Sequence, residues 1–148
     1  MDFHDILLDI DGPVALVTLN RPRYRNAQSY RLLDELDAAF DQAMDDPGVR
    51  VAVVRGAGGH FSSGHDLGTP DWYVEREEHP VEPNTLADYD RFRRYNLDLL
   101  LKWRNLPKPT ISMVEGYCIF AGWMIVSATD ITFAARDALF LAGFTEYF

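Results

Sequence analysis

The chain has 148 residues, the length of one domain or of part of one. Hydrophobic residues make up 47% and aromatic residues 13% of it, so the chain can bury a core and is not a disordered segment. The net charge of −9 argues against a nucleic-acid partner, because such binding depends on a basic surface that neutralises phosphates. It does not exclude a small phosphorylated ligand, for which one or two well-placed arginine or lysine residues suffice.

The cysteine content and the apolar patterns exclude further classes. Cys118 has no second cysteine to pair with, and no Cys/His pair has the spacing of a zinc site, so we expect no disulfide and no metal. The chain does not begin with a basic segment followed by an apolar run, and no apolar run approaches the length of a membrane span. We therefore expect a cytoplasmic protein with no membrane partner.

The first predicted elements are a β-hairpin and a helix. Ile6 to Ile10 and Val14 to Leu19 are rich in strand-forming residues and flank Asp11-Gly12-Pro13, which contains a strong turn signal. Both faces of the second strand are largely apolar, which predicts an interior position in a sheet. Ser29 is suited to cap a helix whose apolar residues recur in steps of three and four from Leu32 to Met44.

The middle of the chain contains a glycine turn between an apolar strand and a segment without periodicity. A buried strand is predicted over 49–54, and Phe61 to Leu67 follows it as a small-residue turn that leaves backbone N–H groups free. Gly68 to Pro83 has no periodicity, and we interpret it as a loop, either a solvated connector or a flexible pocket wall. Leu86 to Leu106 is predicted to be a second long helix.

The last third repeats the order of strand and small-residue turn. A strand at Thr110 to Val114 leads into the turn Glu115 to Gly122, a helix at Trp123 to Ala128 and a further strand at Ile131 to Ala135. The N-terminus of a helix offers unpaired N–H groups and a positive dipole end to an anion. The two turns could therefore hold one oxygen atom between two backbone donors. The alternation of strands and helices predicts an α/β fold, and the lack of a closing element suggests a fragment or a truncated gene.

The order of these motifs resembles that of the crotonase (enoyl-CoA hydratase/isomerase) superfamily. The matching segments follow the family order along nearly the whole chain: Asn20-Arg21-Pro22 with Arg25-Asn26-Ala27, Phe61-Ser62-Ser63-Gly64-His65-Asp66-Leu67, Lys108 to Ile111 through Glu115-Gly116-Tyr117, and Ala121-Gly122 with Asp130. The resemblance implies an α/β, crotonase-like spiral of repeated β-β-α units. The C-terminal helical part of the family is missing, so 1–148 would be an apparently truncated N-terminal core domain. Full-length members commonly form homotrimers or hexamers.

The resemblance also implies a site and a class of substrate. An acyl-CoA thioester would bind with its carbonyl oxygen in an oxyanion hole formed by the backbone N–H groups of His65 and Ala121, which would stabilise an enolate. Coenzyme A would arrive as part of the substrate, without a separate cofactor or a metal. The residues expected to bind it are Arg25, whose side chain can reach the phosphates, and Ala27, Ser63, Gly64, Asp66 and Leu67. The side chain of Asp66 fits a structural turn group better than a catalyst.

The chain departs from the family at the positions of the two catalytic glutamates. These positions fall at Met124 and Phe144, and neither side chain can transfer a proton, a step that typically contributes 10²–10⁴-fold in rate. Glu146, His65 and Glu75 to Glu78 are the other candidate acids or bases. We therefore expect ordinary enoyl-CoA hydration to be weak or absent. The alternatives are a lyase, isomerase or hydrolase of fatty acid metabolism, a non-catalytic acyl-CoA-binding protein, and an inactive truncated relative.

Overall fold

A computed structural model describes residues 3–142 of the chain. The predicted hairpin is confirmed: β1 (Ile6–Asp11) pairs antiparallel with β2 (Val14–Leu19), and Asp11 lies opposite Val14. Gly12 in the two-residue turn has a φ of +55°, a conformation that glycine adopts without steric cost. Strand β2 is interior as predicted, because β3 pairs with its other edge.

The remaining strands of this five-stranded sheet run parallel to β2 in the order β1-β2-β3-β4-β6. They are β3 (Val51–Gly56), β4 (Thr110–Val114) and β6 (Ile131–Ala134). Strand β3 begins and ends two residues later than predicted. The carboxyl ends of parallel strands meet at one edge of a sheet, so the segments that follow β2, β3 and β4 gather there.

A helix covers one face of the sheet and builds the core. Helix α1 (Tyr30–Asp45) begins as predicted after Ser29, whose hydroxyl accepts a hydrogen bond from the N–H of Leu32 at 3.1 Å. The apolar stripe predicted from the sequence is buried: Leu32, Leu33, Leu36, Ala39, Phe40 and Ala43. This stripe packs with the inward residues of β2 and β3, which positions the loop between β2 and α1 at the edge where the parallel strands end.

The interpretation of Gly68 to Pro83 as a loop is wrong, because helix α2 (Pro70–Glu78) lies within it. Thr69 caps this helix by accepting from the N–H of Trp72, and Pro70 stands in its first turn. Glu75 is its only buried residue among those described, so the helix has no apolar stripe for periodicity to detect. The local sequence does mark the start of this helix, because the capping residue Thr69 is followed directly by Pro70.

The second long helix is present but interrupted. Helix α3 (Leu86–Arg93) continues through a π-helical turn at Arg94–Asp98 into α4 (Leu99–Arg104). Such turns contain one extra residue and occur frequently at functional sites. Within residues 3–142, no helix is long and apolar enough to cross a membrane.

The small-residue turn before residue 123 contains a strand that the sequence did not predict. Strand β5 (Tyr117–Ile119) pairs parallel with β7 (Leu139–Leu141), and helix α5 (Ala121–Ala128) follows β5 directly. Helix α5 therefore begins two residues earlier than predicted. The succession of two strands and a helix occurs as β1-β2-α1 and again as β4-β5-α5.

Candidate functional site

The turn after β3 lies against the start of α5, although the two are about sixty residues apart in the chain. The N–H of Ser62 donates to the carbonyl oxygen of Tyr117, and the N–H of Ile119 donates to the carbonyl oxygen of Ser62, both at 2.9 Å. Ser62 thus forms a parallel bridge with Cys118. These bonds bring the two predicted small-residue turns together.

Gly64 allows the closest approach between them. Its φ is +95°, and a Cβ at this position would lie 3.0 Å from the carbonyl oxygen of Ile119 and 3.5 Å from the amide nitrogen of Ala121. The first of these separations is tighter than almost all real Cβ contacts. A side chain at Gly64 would therefore push the two turns apart.

The backbone N–H groups of His65 and Ala121 have no hydrogen-bond acceptor within the described residues 3–142. Gln28 forms a bridge with His65, donating to the carbonyl oxygen of Gly64 at 2.8 Å and accepting from the N–H of Asp66 at 2.9 Å. These two bonds engage the carbonyl oxygen of Gly64 and the N–H of Asp66, which precede and follow the N–H of His65 along the backbone. The N–H of His65 itself takes no part in the pairing. Ala121 is the first residue of α5, so its N–H has no acceptor inside the helix.

A cavity of about 670 Å³, here called the large cavity, opens beside these turns. Five of the six residues predicted to bind coenzyme A line it: Arg25, Ala27, Ser63, Asp66 and Leu67. His65 lines it as well, whereas Gly64 does not and acts as the spacer described above. The structure therefore brings most of the predicted site residues before α2 to one concave surface, whereas Ala121 does not line it and meets this group only through Gly64. The roles of all these residues stay predictions.

Arg25 belongs to a stacked group on this cavity that sequence reasoning missed. Its guanidinium lies 5.6 Å from the ring centre of Tyr117, and the imidazole of His60 stacks on the same residue at 4.7 Å between centroids. The N–H of Tyr117 donates to Nδ1 of His60 at 3.2 Å. In the sequence His60 reads as a surface or turn histidine, because nothing local indicates contact with a residue 57 positions away.

An ion-pair network centred on the buried Arg21 and Asp66 lies beside the large cavity, which Asp66 and Thr69 line. The carboxylate of Asp66 accepts from Nη1 of Arg21 at 2.9 Å and from the N–H of Thr69 at 3.0 Å. Arg21 also donates to the carbonyl oxygen of Ala27 at 2.6 Å and to Asp71 at 3.0 Å. Burial acts to raise the pKa of Asp66, but the bonds from Thr69 and Arg21 outweigh it and hold that pKa below its usual value. These contacts agree with the structural role expected for the Asp66 side chain.

Comparison with known proteins identifies the family of this chain. Residues 9–147 match the family model described as enoyl-CoA hydratase/isomerase. The chain belongs to the enoyl-CoA hydratase/isomerase family. The predicted α/β, crotonase-like fold is thereby confirmed, since solved members of this family have the same architecture.

Among curated members of the family, the enoyl-CoA hydratase EchA19 of Mycobacterium tuberculosis is 36% identical over 136 residues, covering 92% of this chain and 48% of that protein. The crystal structure of a probable enoyl-CoA hydratase from Mycobacterium thermoresistibile superposes with a TM-score of 0.80 at 39% identity, covering 97% of this chain and 54% of that one. An enoyl-CoA hydratase/isomerase from Xanthobacter autotrophicus Py2 gives a TM-score of 0.80 at 36% identity, covering 94% and 49%. The chain spans about half the length of the relatives it matches.

The residues at the two glutamate positions and the other candidate acids and bases lie in different parts of the chain. Met124 is half-buried one turn after Ala121 on α5, where residues three apart are neighbours on the helix surface. Glu75 is buried and caps α1, accepting from the N–H groups of Tyr30 at 3.0 Å and Arg31 at 3.4 Å, so it is committed to structure. Phe144 and Glu146 lie outside the described residues.

Two further side chains bear on the chemistry available. Burial lowers the pKa of His65, with the Asn96 side chain acting in the opposite direction, so the imidazole is neutral near pH 7. Burial raises the pKa of the Cys118 thiol to about 12, so this thiol is not a nucleophile at neutral pH. Among residues 3–142, no group of three or more His, Cys, Asp or Glu side chains is placed to hold a metal ion.

Arg21→Ala is expected to lower the free energy of unfolding by about 3–5 kcal/mol, because it leaves the buried carboxylate of Asp66 without its cation and leaves Asp5 with Arg31 alone. Urea unfolding followed by circular dichroism measures the change. Arg23→Ala is the matched control: this neighbouring arginine is exposed, and its removal should cost less than about 0.5 kcal/mol. A loss below about 1 kcal/mol for Arg21→Ala would contradict a supporting role for the network.

Proposed function

We propose that this protein binds an acyl-CoA thioester in the large cavity and stabilises an enolate with the backbone N–H groups of His65 and Ala121. The observation that carries the proposal is the pair of unused N–H groups on two turns that hydrogen bonds hold together. Membership of the enoyl-CoA hydratase/isomerase family supports it. The chain would act as a lyase, isomerase or hydrolase on the thioester.

The chemistry of a thioester explains why two such donors matter. Removal of a proton next to the thioester, or attack on its carbonyl carbon, places negative charge on the carbonyl oxygen. Fixed donors aimed at that oxygen stabilise the charge most in the transition state, and the loss of one typically costs about 2.7–4 kcal/mol. The N-terminus of α5 adds the positive end of its dipole at Ala121.

The phosphates of coenzyme A need a local cation, since the chain as a whole carries a charge of −9. Arg25 is exposed and lines the large cavity, and its guanidinium lies over the ring of Tyr117. Arg23 lines the same cavity from the adjacent loop position. We propose that Arg25 binds the phosphates as a charged hydrogen-bond donor.

Met124 favours a second candidate function. A methionine on the face of α5 next to Ala121 cannot exchange protons with a substrate. A protein that keeps the N–H pair and the large cavity but lacks this acid or base could bind acyl-CoA without turning it over. A screen of thioesters for turnover separates the two functions, because a non-catalytic binding protein would convert none of them.

Calorimetric titration with butyryl-CoA tests the binding proposal. The wild-type protein is expected to bind butyryl-CoA, and Arg25→Ala is expected to raise the dissociation constant about tenfold. A tenfold change is about 1.4 kcal/mol, near the lower end of the free energy that a hydrogen bond to a charged group contributes. Arg50→Ala is the control, because this exposed arginine precedes β3 at the opposite end of the strand from the glycine turn. Absence of binding by the wild type would overturn the proposed function, whereas unchanged affinity in Arg25→Ala would overturn only the assignment of Arg25.

A further inference from the structure

A second cavity of about 250 Å³ adjoins the proposed oxyanion hole and has no role in the function described so far. It shares His65, Asp66 and Leu67 with the large cavity. Its other walls come from the start of α1, from α2 and from the interrupted helix: Gln28, Ser29, Tyr30, Trp72, Arg76, Phe92, Tyr95 and Asn96. A thioester whose oxygen is held at the His65 N–H has this cavity as the adjoining space for its acyl chain.

The imidazole of His65 is a polar ring on this partly aromatic cavity, and the Asn96 side chain interacts with it. Its Nε2 is buried and has no hydrogen-bond partner among the described residues 3–142. A buried polar atom left unpaired is costly in free energy, and native structures contain few of them. The neutral ring carries one donor and one acceptor nitrogen, so it could pair with a hydroxyl or a carbonyl oxygen.

The π-helical turn brings further polar groups to the same cavity. Tyr95 and Asn96 both belong to this turn and both line the cavity. The hydroxyl of Tyr95 donates to Asp34 at 2.8 Å, and the Asn96 amide nitrogen donates to the carbonyl oxygen of Phe92 at 2.9 Å. These bonds hold the turn in place, and the Asn96 side chain also interacts with the His65 ring, whose Nε2 has no partner among residues 3–142.

We propose that the second cavity receives the acyl chain and that the His65 imidazole hydrogen-bonds an oxygen substituent on it. The protein then selects acyl-CoA thioesters that carry a hydroxyl or keto oxygen within a few carbons of the thioester carbonyl. This inference rests on the proposed function, because the backbone N–H of His65 would hold the thioester oxygen and so fix the point from which the acyl chain extends. Because Nε2 faces packed atoms, binding includes a rotation of the ring about its Cβ–Cγ bond, a torsion with broad minima in histidine.

Paired titrations with 4-hydroxybutyryl-CoA and butyryl-CoA test this selection, because the two thioesters differ only by one hydroxyl group. The wild type is expected to bind the hydroxylated thioester about three- to tenfold more tightly, the range of one net hydrogen bond. In His65→Phe, which keeps a ring of similar size without nitrogen atoms, the ratio of the two dissociation constants should fall to about one. His65→Gln, which keeps a hydrogen-bonding side chain, should retain part of the preference.

A measurement on the wild type alone complements the variants. In protein labelled with ¹⁵N-histidine, the ring nitrogens of His65 are expected to shift with 4-hydroxybutyryl-CoA and much less with butyryl-CoA. Equal affinities for the two thioesters, or a preference that survives in His65→Phe, would overturn the role of His65 and leave the proposed function standing. Failure of the wild type to bind either thioester would overturn both.

Discussion

Hydration of crotonyl-CoA by this protein is expected to be about 10²–10⁴-fold slower than by a family member that carries both catalytic glutamates. The family resemblance assigns Met124 to the first of the two positions; it lies near Ala121 on α5 and provides no group that can carry a proton to or from water. The resemblance assigns Phe144, which lies outside the described residues, to the second position. The loss of enoyl thioester absorbance measures the rate, and turnover in the usual enzymatic range of about 1–10³ s⁻¹ would contradict the expectation.

The variant Met124→Glu sharpens this prediction. It returns one carboxylate to the first turn of α5, and we expect it to raise the hydration rate at least tenfold, toward the lower end of what one positioned acid or base contributes. Met124→Gln is the matched control, because it has the same shape as the glutamate variant without a transferable carboxyl proton. Equal rates in the two variants would show that position 124 does not face the reacting carbon.

Ala121→Pro is expected to slow enolate formation about 10²–10³-fold, because it removes one of the two proposed donors without changing any other side chain. Proline fits the first position of a helix, where the N–H has no intrahelical acceptor, and Ala121 is the first residue of α5. Phe120 before it has a φ of +43°, outside the region favoured before proline, so the folding of the variant has to be measured as well. Exchange of the α-protons of butyryl-CoA in deuterated water measures enolate formation without requiring that the natural reaction be known.

The control for this experiment is Ala121→Gly, which keeps the N–H and should lose far less of the exchange rate. Thermal unfolding of both variants establishes that α5 still forms. As a second readout, the infrared carbonyl band of bound butyryl-CoA should shift to lower frequency in the wild type and return toward its free value in Ala121→Pro. Exchange at the wild-type rate in Ala121→Pro would exclude the Ala121 N–H as a donor to the thioester oxygen.

Elements with a strong local signal were predicted correctly. The hairpin follows from its Asp-Gly turn between two β-rich runs, and α1 follows from Ser29 and its apolar stripe. Helix α2 was missed because it buries only Glu75 and carries no apolar stripe. The break at Arg94–Asp98 was missed because neither proline nor glycine marks that turn.

By itself, then, the sequence determined the α/β fold class, the family resemblance and the positions of the two glycine-containing turns. These depend on residues close together in the chain, such as Gly64 and His65. Only the tertiary structure decided that Gly64 meets the start of α5, that Arg21 binds Asp66, and that Nε2 of His65, beside a second cavity, has no partner among the described residues. The physical reason is that each of these depends on contacts between residues about thirty or more positions apart, which local patterns of charge and hydrophobicity do not encode.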